Sequence, residues 1–384
     1  MYREIIKEYI NENKEEILNL WEKVVSINSG TYDVEGVNKV CEVFENELKN
    51  MGCDTKIYEF EKVGNTLIGT LNPEINKEPI LFVGHMDTVF SGKEVEKRPF
   101  KIENGKATGP GALDMKIGDV MAIFVAKALE KAGYKERPIK FIFAGDEESA
   151  HEDSNCGEII MKEAKGAKAA ITFETGRVDE GIVVGRKGST TFRISIEGIS
   201  AHSGNDPEKG RSAILEAAHK VIALENLNDI ARGKLVNCGL INGGTSDNTI
   251  PGNCSIVVLT RNVNQEIGDE IIRDVEKILN TTYVDGTKTT YEVKAGMGCM
   301  ERTDGVMELF ELVRDTAVSL GFPEPHPVEV GGGSDSSFTV AAGVPTVCAM
   351  GAKGEFNHTE KEYAVVDSVF ERIELAANVV YRLN

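Results

Sequence analysis

An apolar run, Ile80-Leu81-Phe82-Val83-Gly84, ends abruptly in His85-Met86-Asp87-Thr88. In an extended backbone, residues i and i+2 face the same way, so the His85 imidazole and the Asp87 carboxylate leave the strand's end together. The pair suits a metal ligand and the acid that orients it. It equally suits a buried histidine satisfied by its neighbour, so other residues must decide.

Asp114 lies in Gly109-Pro110-Gly111-Ala112-Leu113-Asp114-Met115-Lys116, a tight loop ahead of a predicted helix, where a carboxylate serves either as an N-terminal cap or as a metal ligand. A second apolar strand, Phe141-Ile142-Phe143-Ala144, breaks into Gly145-Asp146-Glu147-Glu148. Consecutive residues alternate in direction, which leaves one glutamate to bind a cation and the other to accept a proton from water. Ala170-Ile171-Thr172-Phe173-Glu174 repeats the pattern, and Phe356-Asn357-His358-Thr359 adds an imidazole after a later strand. His151 stands three residues after Glu148 without a second Glu-x-x-His, so it reads as structural or supporting.

The resulting set is His85, Asp114, Glu148, Glu174 and His358, all expected at one edge of one sheet. Two imidazoles and three carboxylates satisfy two zinc ions if one carboxylate is shared and water fills the remaining position. There is no H-E-x-x-H, G-x-S-x-G or G-x-G-x-x-G pattern, which disfavours a helix-borne zinc protease, a serine hydrolase elbow and a dinucleotide fold.

These side chains need a scaffold that aims strand ends at one place. Strands are predicted over 66–69, 79–83, 139–145 and 169–173, alternating with helices over 118–131 and 156–164, after two opening helices over 2–25 and 36–51. Nearly continuous apolar strands between helices predict an α/β fold with a mostly parallel or mixed sheet, whose ligands sit at the carboxyl ends of the strands. The pattern changes near Val183: strands over 190–197, 255–261 and 289–295 with helices over 211–224 and 265–279 suit a compact antiparallel α+β domain, ferredoxin-like in order. Helix-strand alternation resumes near Met307 and closes with a helix over 367–383. The domains expected are therefore 1–183 with 298–384, and an insertion over 184–297.

A chain of 384 residues exceeds the usual span of one core, in keeping with two domains. The formal net charge of −19 argues against nucleic acid as a partner, because phosphate neutralisation needs clustered Lys and Arg. Seven scattered cysteines without a C-x-x-C pair fit reduced thiols, and the start of the chain has neither a basic leader nor a long apolar run. A cytoplasmic protein that does not enter membranes is expected.

The ordered segments GHMDTVF, GPGALDMK, GDEES, FETG, SAHSG, GGGSDS and NHTEKEY, spread over residues 80 to 360, resemble the cocatalytic zinc metallopeptidase family that includes glutamate carboxypeptidase, aminoacylase, acetylornithine deacetylase and succinyl-diaminopimelate desuccinylase. The resemblance implies that Asp114 bridges two Zn2+ held also by His85, Glu148, Glu174 and His358, with Co2+ or Mn2+ as substitutes. It further implies that Asp87 orients His85 and that Glu147 is the general base. By the same likeness the insertion is a lid and homodimerisation domain, and His202 of the SAHSG segment binds substrate and stabilises a developing oxyanion. Asn248 and Arg261 resemble positions that hold the substrate's carbonyl or carboxylate, and the glycine-rich loop at Gly332 and Gly333 resembles one that lines the substrate pocket through its own backbone. Ile117 and the polar run Asp247-Asn248-Thr249 depart from common versions of the pattern.

The expected activity is hydrolysis of a peptide or amide bond. Glu174, in place of an aspartate, resembles the carboxypeptidase and deacylase members, so the substrate is expected to be a small peptide or N-acyl amino acid with a free carboxylate. Carboxypeptidase and N-deacylase stay open at this point. A catalytically silent scaffold would require loss of a ligand or the base, and a phosphoesterase would need a basic cluster beside the acidic loops.

Overall fold

The computed structural model describes residues 2–383, with Met1 and Asn384 outside the described residues. The chain divides into two compact units: Met1–Val184 with Arg302–Glu329 and Ser334–Asn384, and Gly185–Glu301 with Val330–Gly333.

The first unit is built on a six-stranded sheet in the order Asp54–Tyr58, Thr66–Leu71, Ile139–Ala144, Ile80–His85, Ala169–Thr172, Thr346–Val347. The first three strands are antiparallel neighbours and the last four run parallel, so the sheet is mixed. Ile80–His85 occupies the centre because every one of its residues is apolar, Gly or a site residue and is buried. Its side chains alternate between two cores. Leu81 and Val83 join Ile142, Cys156, Ile160 and Ala164 on one face. Phe82 meets Phe141 and Phe173 edge-on, and Phe143 packs tilted against Phe44, on the other. Each large side chain buried this way contributes roughly 1.5–3 kcal/mol, enough to fix strand register against a one-residue slip.

The helix Lys116–Lys131 is buried almost all round, because its sequence is apolar on nearly every face. It packs against the Ile80–His85 strand and the helices Tyr2–Glu12, Lys14–Val25 and Val366–Arg382. The single opening helix expected over 2–25 is two helices. Asn13 interrupts it: its side-chain amide donates to the Tyr9 carbonyl at 2.7 Å, ending the first helix where a competing side chain satisfies the backbone. The edge strand Asp54–Tyr58 escaped the sequence reading because its polar, half-exposed residues carry little periodic signal.

The second unit runs strand Gly188–Glu197, helix Ala213–Glu225, strands Leu235–Gly243 and Asn253–Asn262, helix Gln265–Leu279 and strand Lys288–Ala295. Its sheet is antiparallel throughout, in the order Leu235–Gly243, Asn253–Asn262, Gly188–Glu197, Lys288–Ala295, which is the ferredoxin-like arrangement. Ile194, Ile196, Ile256 and Val258 alternate inward against Ala217, Leu224, Ile271 and Val275 of the two helices. Leu235–Gly243 supplies the strand for which the sequence reading named no residues. It is largely exposed and bulged between Cys238 and Leu240.

Gly118 opens the buried helix where it meets the end of the Ala169–Thr172 strand, and a Cβ there would lie 2.1 Å from the Phe173 carbonyl oxygen. Backbone cannot yield cheaply, so Gly118→Ala is expected to destabilise the protein by about 1–3 kcal/mol, read as a lower urea midpoint at unchanged m-value. An unchanged midpoint would contradict this packing.

Candidate metal centre

Three parallel strands end beside one another and deliver most of the site. His85 is the last residue of its strand, Glu147 and Glu148 form the short 3-10 turn Glu147–Ser149 just after Ile139–Ala144, and Glu174 follows Ala169–Thr172. Asp114 comes from the loop before the Lys116–Lys131 helix, and His358 from the turn between Gly354–Glu355 and Tyr363–Val365.

Asp114 divides its two oxygens between two imidazoles. Its Oδ1 lies 3.5 Å from His85 Nε2, and its Oδ2 lies 3.1 Å from His358 Nε2. Ligand atoms of His85, Asp114 and Glu174 fall within 4.8 Å of one another, and so do those of Asp114, Glu148 and His358. Asp114 is common to both groups. Glu148 places Oε2 3.2 Å from His358 Nε2, while its Oε1 is buried with no hydrogen-bond partner. An orphaned carboxylate oxygen within a set of imidazole nitrogens and carboxylates fits a divalent cation, since unsatisfied buried acceptors otherwise cost about 1–3 kcal/mol each.

Asp87 is fully buried and holds three elements. It faces His85 Nδ1 at 3.2 Å, accepts the Thr31 hydroxyl at 2.6 Å, and accepts the backbone N–H groups of Glu147 and Glu148 at 3.1 and 3.2 Å. Burial alone would raise its carboxyl, but these donors hold it below the ordinary range. His85 is the mirror case: burial would lower it, and the charges of Glu147, Asp114 and Asp87 hold it well above its usual value. Asp114 is likewise held low against burial by His358 and His85.

Glu147 lies with Oε2 3.8 Å from His85 Nε2, and burial, reinforced by Glu174, Asp335 and Glu148, pushes its carboxyl well above the usual range. A carboxylate so placed is a competent proton acceptor near neutral pH. His358 is exposed, and hydrogen bonds to Asp114 and Glu148 raise it to about 11.

Sequence reasoning missed several supporting residues. Asn357 Nδ2 donates to Asp114 Oδ2 at 2.9 Å and to Thr175 Oγ1 at 2.6 Å. Glu362 accepts the Leu113 N–H at 2.9 Å, and burial raises its carboxyl to about 8. Both flank His358 within the NHTEKEY segment, which was the available signal. Asp119, whose Oδ1 fills the space a Cβ on Gly84 would take, is buried with both oxygens unpartnered, and burial holds it well above its ordinary value. Its position inside an apolar helix gave no sign of this.

The other candidates lie in the second unit. His202 is exposed, and its Nδ1 accepts the N–H groups of Gly204 and Asn205 at 3.1 Å each, which leaves Nε2–H as the donor of a neutral ring. Asn248 is tied to the same turn through its carbonyl, which accepts the Ser203 N–H at 3.0 Å. Arg261 donates to the Gly331 carbonyl at 2.9 Å, and Arg186 donates to the carbonyls of Gly332 and Gly333 at 3.0 and 3.1 Å. The glycine-rich segment is therefore gripped from its carbonyl side.

An α/β unit that gathers one histidine and three glutamates at the ends of its parallel strands, with an aspartate from a loop and a second histidine from a turn, fits a metal-dependent hydrolase of peptide or amide bonds. The chain belongs to peptidase family M20/M25/M40, whose profile matches residues 81–382. It is 28% identical over 376 residues to carboxypeptidase G2 of Pseudomonas sp. (strain RS-16), covering 96% of this chain and 89% of that one. It is 24% identical over 393 residues to succinyl-diaminopimelate desuccinylase of Rickettsia rickettsii (strain Sheila Smith), covering 95% and 99% of the two chains. Its fold is shared with aminopeptidase PepT of Bacillus cereus ATCC 10987, at TM-score 0.81 and 24% identity over 97% of this chain and 99% of that one. The same holds for the M20 family metallo-carboxypeptidase Sso-CP2 of Sulfolobus solfataricus, at TM-score 0.74 and 17% identity over 95% and 98%. No helix among the described residues is long and apolar enough to cross a membrane.

Two outcomes follow from this geometry. An imidazole binds metal only when neutral, and His358 is raised to about 11, so zinc loading near neutral pH must displace protons. Calorimetry in buffers of differing ionisation enthalpy is expected to show proton release, with affinity falling about tenfold per pH unit on acidification for each proton released. Loading without proton release would refute the assigned ligands. Asp87→Ala is expected to lower turnover by about 10–100-fold while the circular dichroism spectrum is retained, and normal turnover in that variant would remove its orienting role.

Proposed function

We propose that this protein is a two-metal exopeptidase of glutamate carboxypeptidase type, with two Zn2+ per subunit and Co2+ or Mn2+ as substitutes. The observation that carries the reading is the division of the Asp114 oxygens between His85 and His358. One metal would be held by His85, Asp114 and Glu174, the other by Asp114, Glu148 and His358. When bound, the metals supply Lewis acidity to the substrate carbonyl and to water.

The chain's own residues do the rest. Glu147 takes a proton from the attacking water and returns it to the departing amine, which its raised carboxyl suits. Asp87 keeps the His85 ring in place and, through the backbone of Glu147 and Glu148, keeps the acidic turn aligned with it. His202, with Nε2–H as its free donor, would stabilise negative charge on the carbonyl oxygen. Asn248 and the backbone at Gly332 and Gly333 would bind the substrate, and Arg261, using one of its donors on Gly331, would offer others to a terminal carboxylate.

Similarity to carboxypeptidase G2 over 96% of the chain supports a substrate with a free carboxylate. The likeness to succinyl-diaminopimelate desuccinylase keeps an N-acyl amino acid deacylase as the second reading. The insertion would serve as lid and homodimerisation domain. In support, Leu235–Gly243 is an edge strand with Leu240 and Ile241 exposed, and the helix beside it exposes Leu215 and Ile222.

The test is a panel of blocked peptides, their C-terminal amides and N-acyl amino acids, assayed with zinc or cobalt. Turnover is expected to vanish on amidation of the terminal carboxylate and to fall by about 10²–10⁴-fold in Glu147→Ala with metal content retained. Full activity in that variant, or hydrolysis of a phosphoester and no amide, would overturn the reading.

A further inference from the structure

A second buried cluster lies on the far side of the acidic turn. His151 Nδ1 is 2.7 Å from Asp146 Oδ1, and His151 Nε2 is 2.7 Å from Asp335 Oδ1. All three residues are buried. Both partners are carboxylates, so both ring nitrogens donate and the ring is an imidazolium bridging two acids. The ring is raised well above its ordinary value: burial opposes this, and Asp335, Cys156 and Asp146 outweigh burial. Asp146 uses its other oxygen to accept the Ser154 hydroxyl at 2.6 Å, and the Phe338 ring covers His151 at 5.5 Å between centroids.

Three features say that this bridge fixes the turn. Asp146 directly precedes Glu147 and Glu148. Ala150 and His151 both hold left-handed backbone, φ 55° and 57°, a conformation that non-glycine residues keep only where surroundings impose it. Asp335 stands at the N-cap of the helix Ser336–Ala341 yet makes no side-chain cap, because its carboxylate is turned to His151 instead.

We propose that His151 is a positioning residue for the hydrolytic site: bridging Asp146 and Asp335, it fastens the Glu147–Glu148 turn to the start of the Ser336–Ala341 helix and so places the proton acceptor and a metal ligand. Asp87 holds the same turn by its backbone N–H groups; His151 holds it from the opposite end. Ligand atoms of Asp146, His151 and Cys156 also lie within 4.8 Å of one another. Both imidazole nitrogens are already engaged, so the cluster is a charge bridge and not a further metal site.

The inference rests on the two-metal reading, and its test has a readout independent of turnover. His151→Gly removes the ring and suits a φ of 57°, so the backbone is retained. Zinc affinity, measured by chelator competition on resting protein, is expected to fall about tenfold or more, and kcat by about 10–100-fold at nearly constant KM. Added imidazole, with two N–H donors when protonated, should restore both; 1-methylimidazole, an equally good zinc ligand with one donor, should not. Asp335→Asn, which keeps an acceptor for Nε2–H, should stay near the parent, and Asp335→Ala should match His151→Gly. Zinc affinity within twofold of the parent in His151→Gly, equal rescue by both imidazoles, or a zinc equivalent beyond two lost with His151 would overturn the assignment. A parent that binds zinc but hydrolyses nothing in the panel counts against the exopeptidase reading alone, and the zinc titration still decides the role of His151.

Discussion

Five carboxyl groups, those of Asp87, Asp114, Glu147, Glu148 and Glu174, converge on two imidazoles inside the first unit, each carboxyl side chain at most about a tenth exposed. Like charges brought this close in a poorly solvated place repel strongly, and two protonated histidines cannot balance them. Three devices ease this repulsion: donors that stabilise the charged form, as at Asp87; burial that raises the carboxyl and so lowers the cost of its uncharged form, as at Glu147; and oxygens grouped where they could hold cations, as at Asp114 and Glu148. The same imbalance that costs folding energy would favour divalent metal at the site. Stability and metal affinity are thus two faces of one electrostatic constraint.

The scaffold answers that constraint with geometry rather than with charge. Parallel strands end in register, His85 opposite Ala144, so the residues just beyond each strand reach one region without long loops. Close backbone approach tightens the arrangement. Gly118 seats the buried helix against the Phe173 carbonyl, one residue before Glu174. Lys116 is buried inside the same helix start, where it donates to the carbonyls of Val24 and Ile27, and burial lowers it to about 7. A site assembled from strand ends, a helix start and a turn is positioned by the whole core, which is why its supports are spread across the sequence.

Much of this was legible in the residues themselves. His85, Glu147, Glu148 and Glu174 each follow an apolar strand, and apolar periodicity is the strongest signal a sequence carries. Asp114 alone read more naturally as a helix cap; only its assembly with two distant histidines gives its oxygens separate tasks. Thr31 was silent because its role is a hydrogen bond to a residue far along the chain, Asp87. The exposed strands Asp54–Tyr58 and Leu235–Gly243 were missed because weakly buried elements impose no hydrophobic period, and the break at Asn13 because a side-chain bond to the Tyr9 carbonyl leaves the apolar period on either side intact.

The residues proposed to do chemistry and those proposed to choose the substrate are also built differently. His85, Asp114 and Glu174 are buried and interlocked, so nearly every change among them disturbs charge balance. His202, Asn248 and Arg261 sit on a small antiparallel unit, with His202 and Asn248 exposed and satisfied by local backbone contacts. Such positions tolerate substitution at little cost to folding. A carboxypeptidase, a desuccinylase and an aminopeptidase appear among the relatives of this one chain, and the shared fold therefore cannot be what sets their specificity. On the proposed reading the acidic cluster would set the reaction, and the residues of the second unit would be free to choose the substrate.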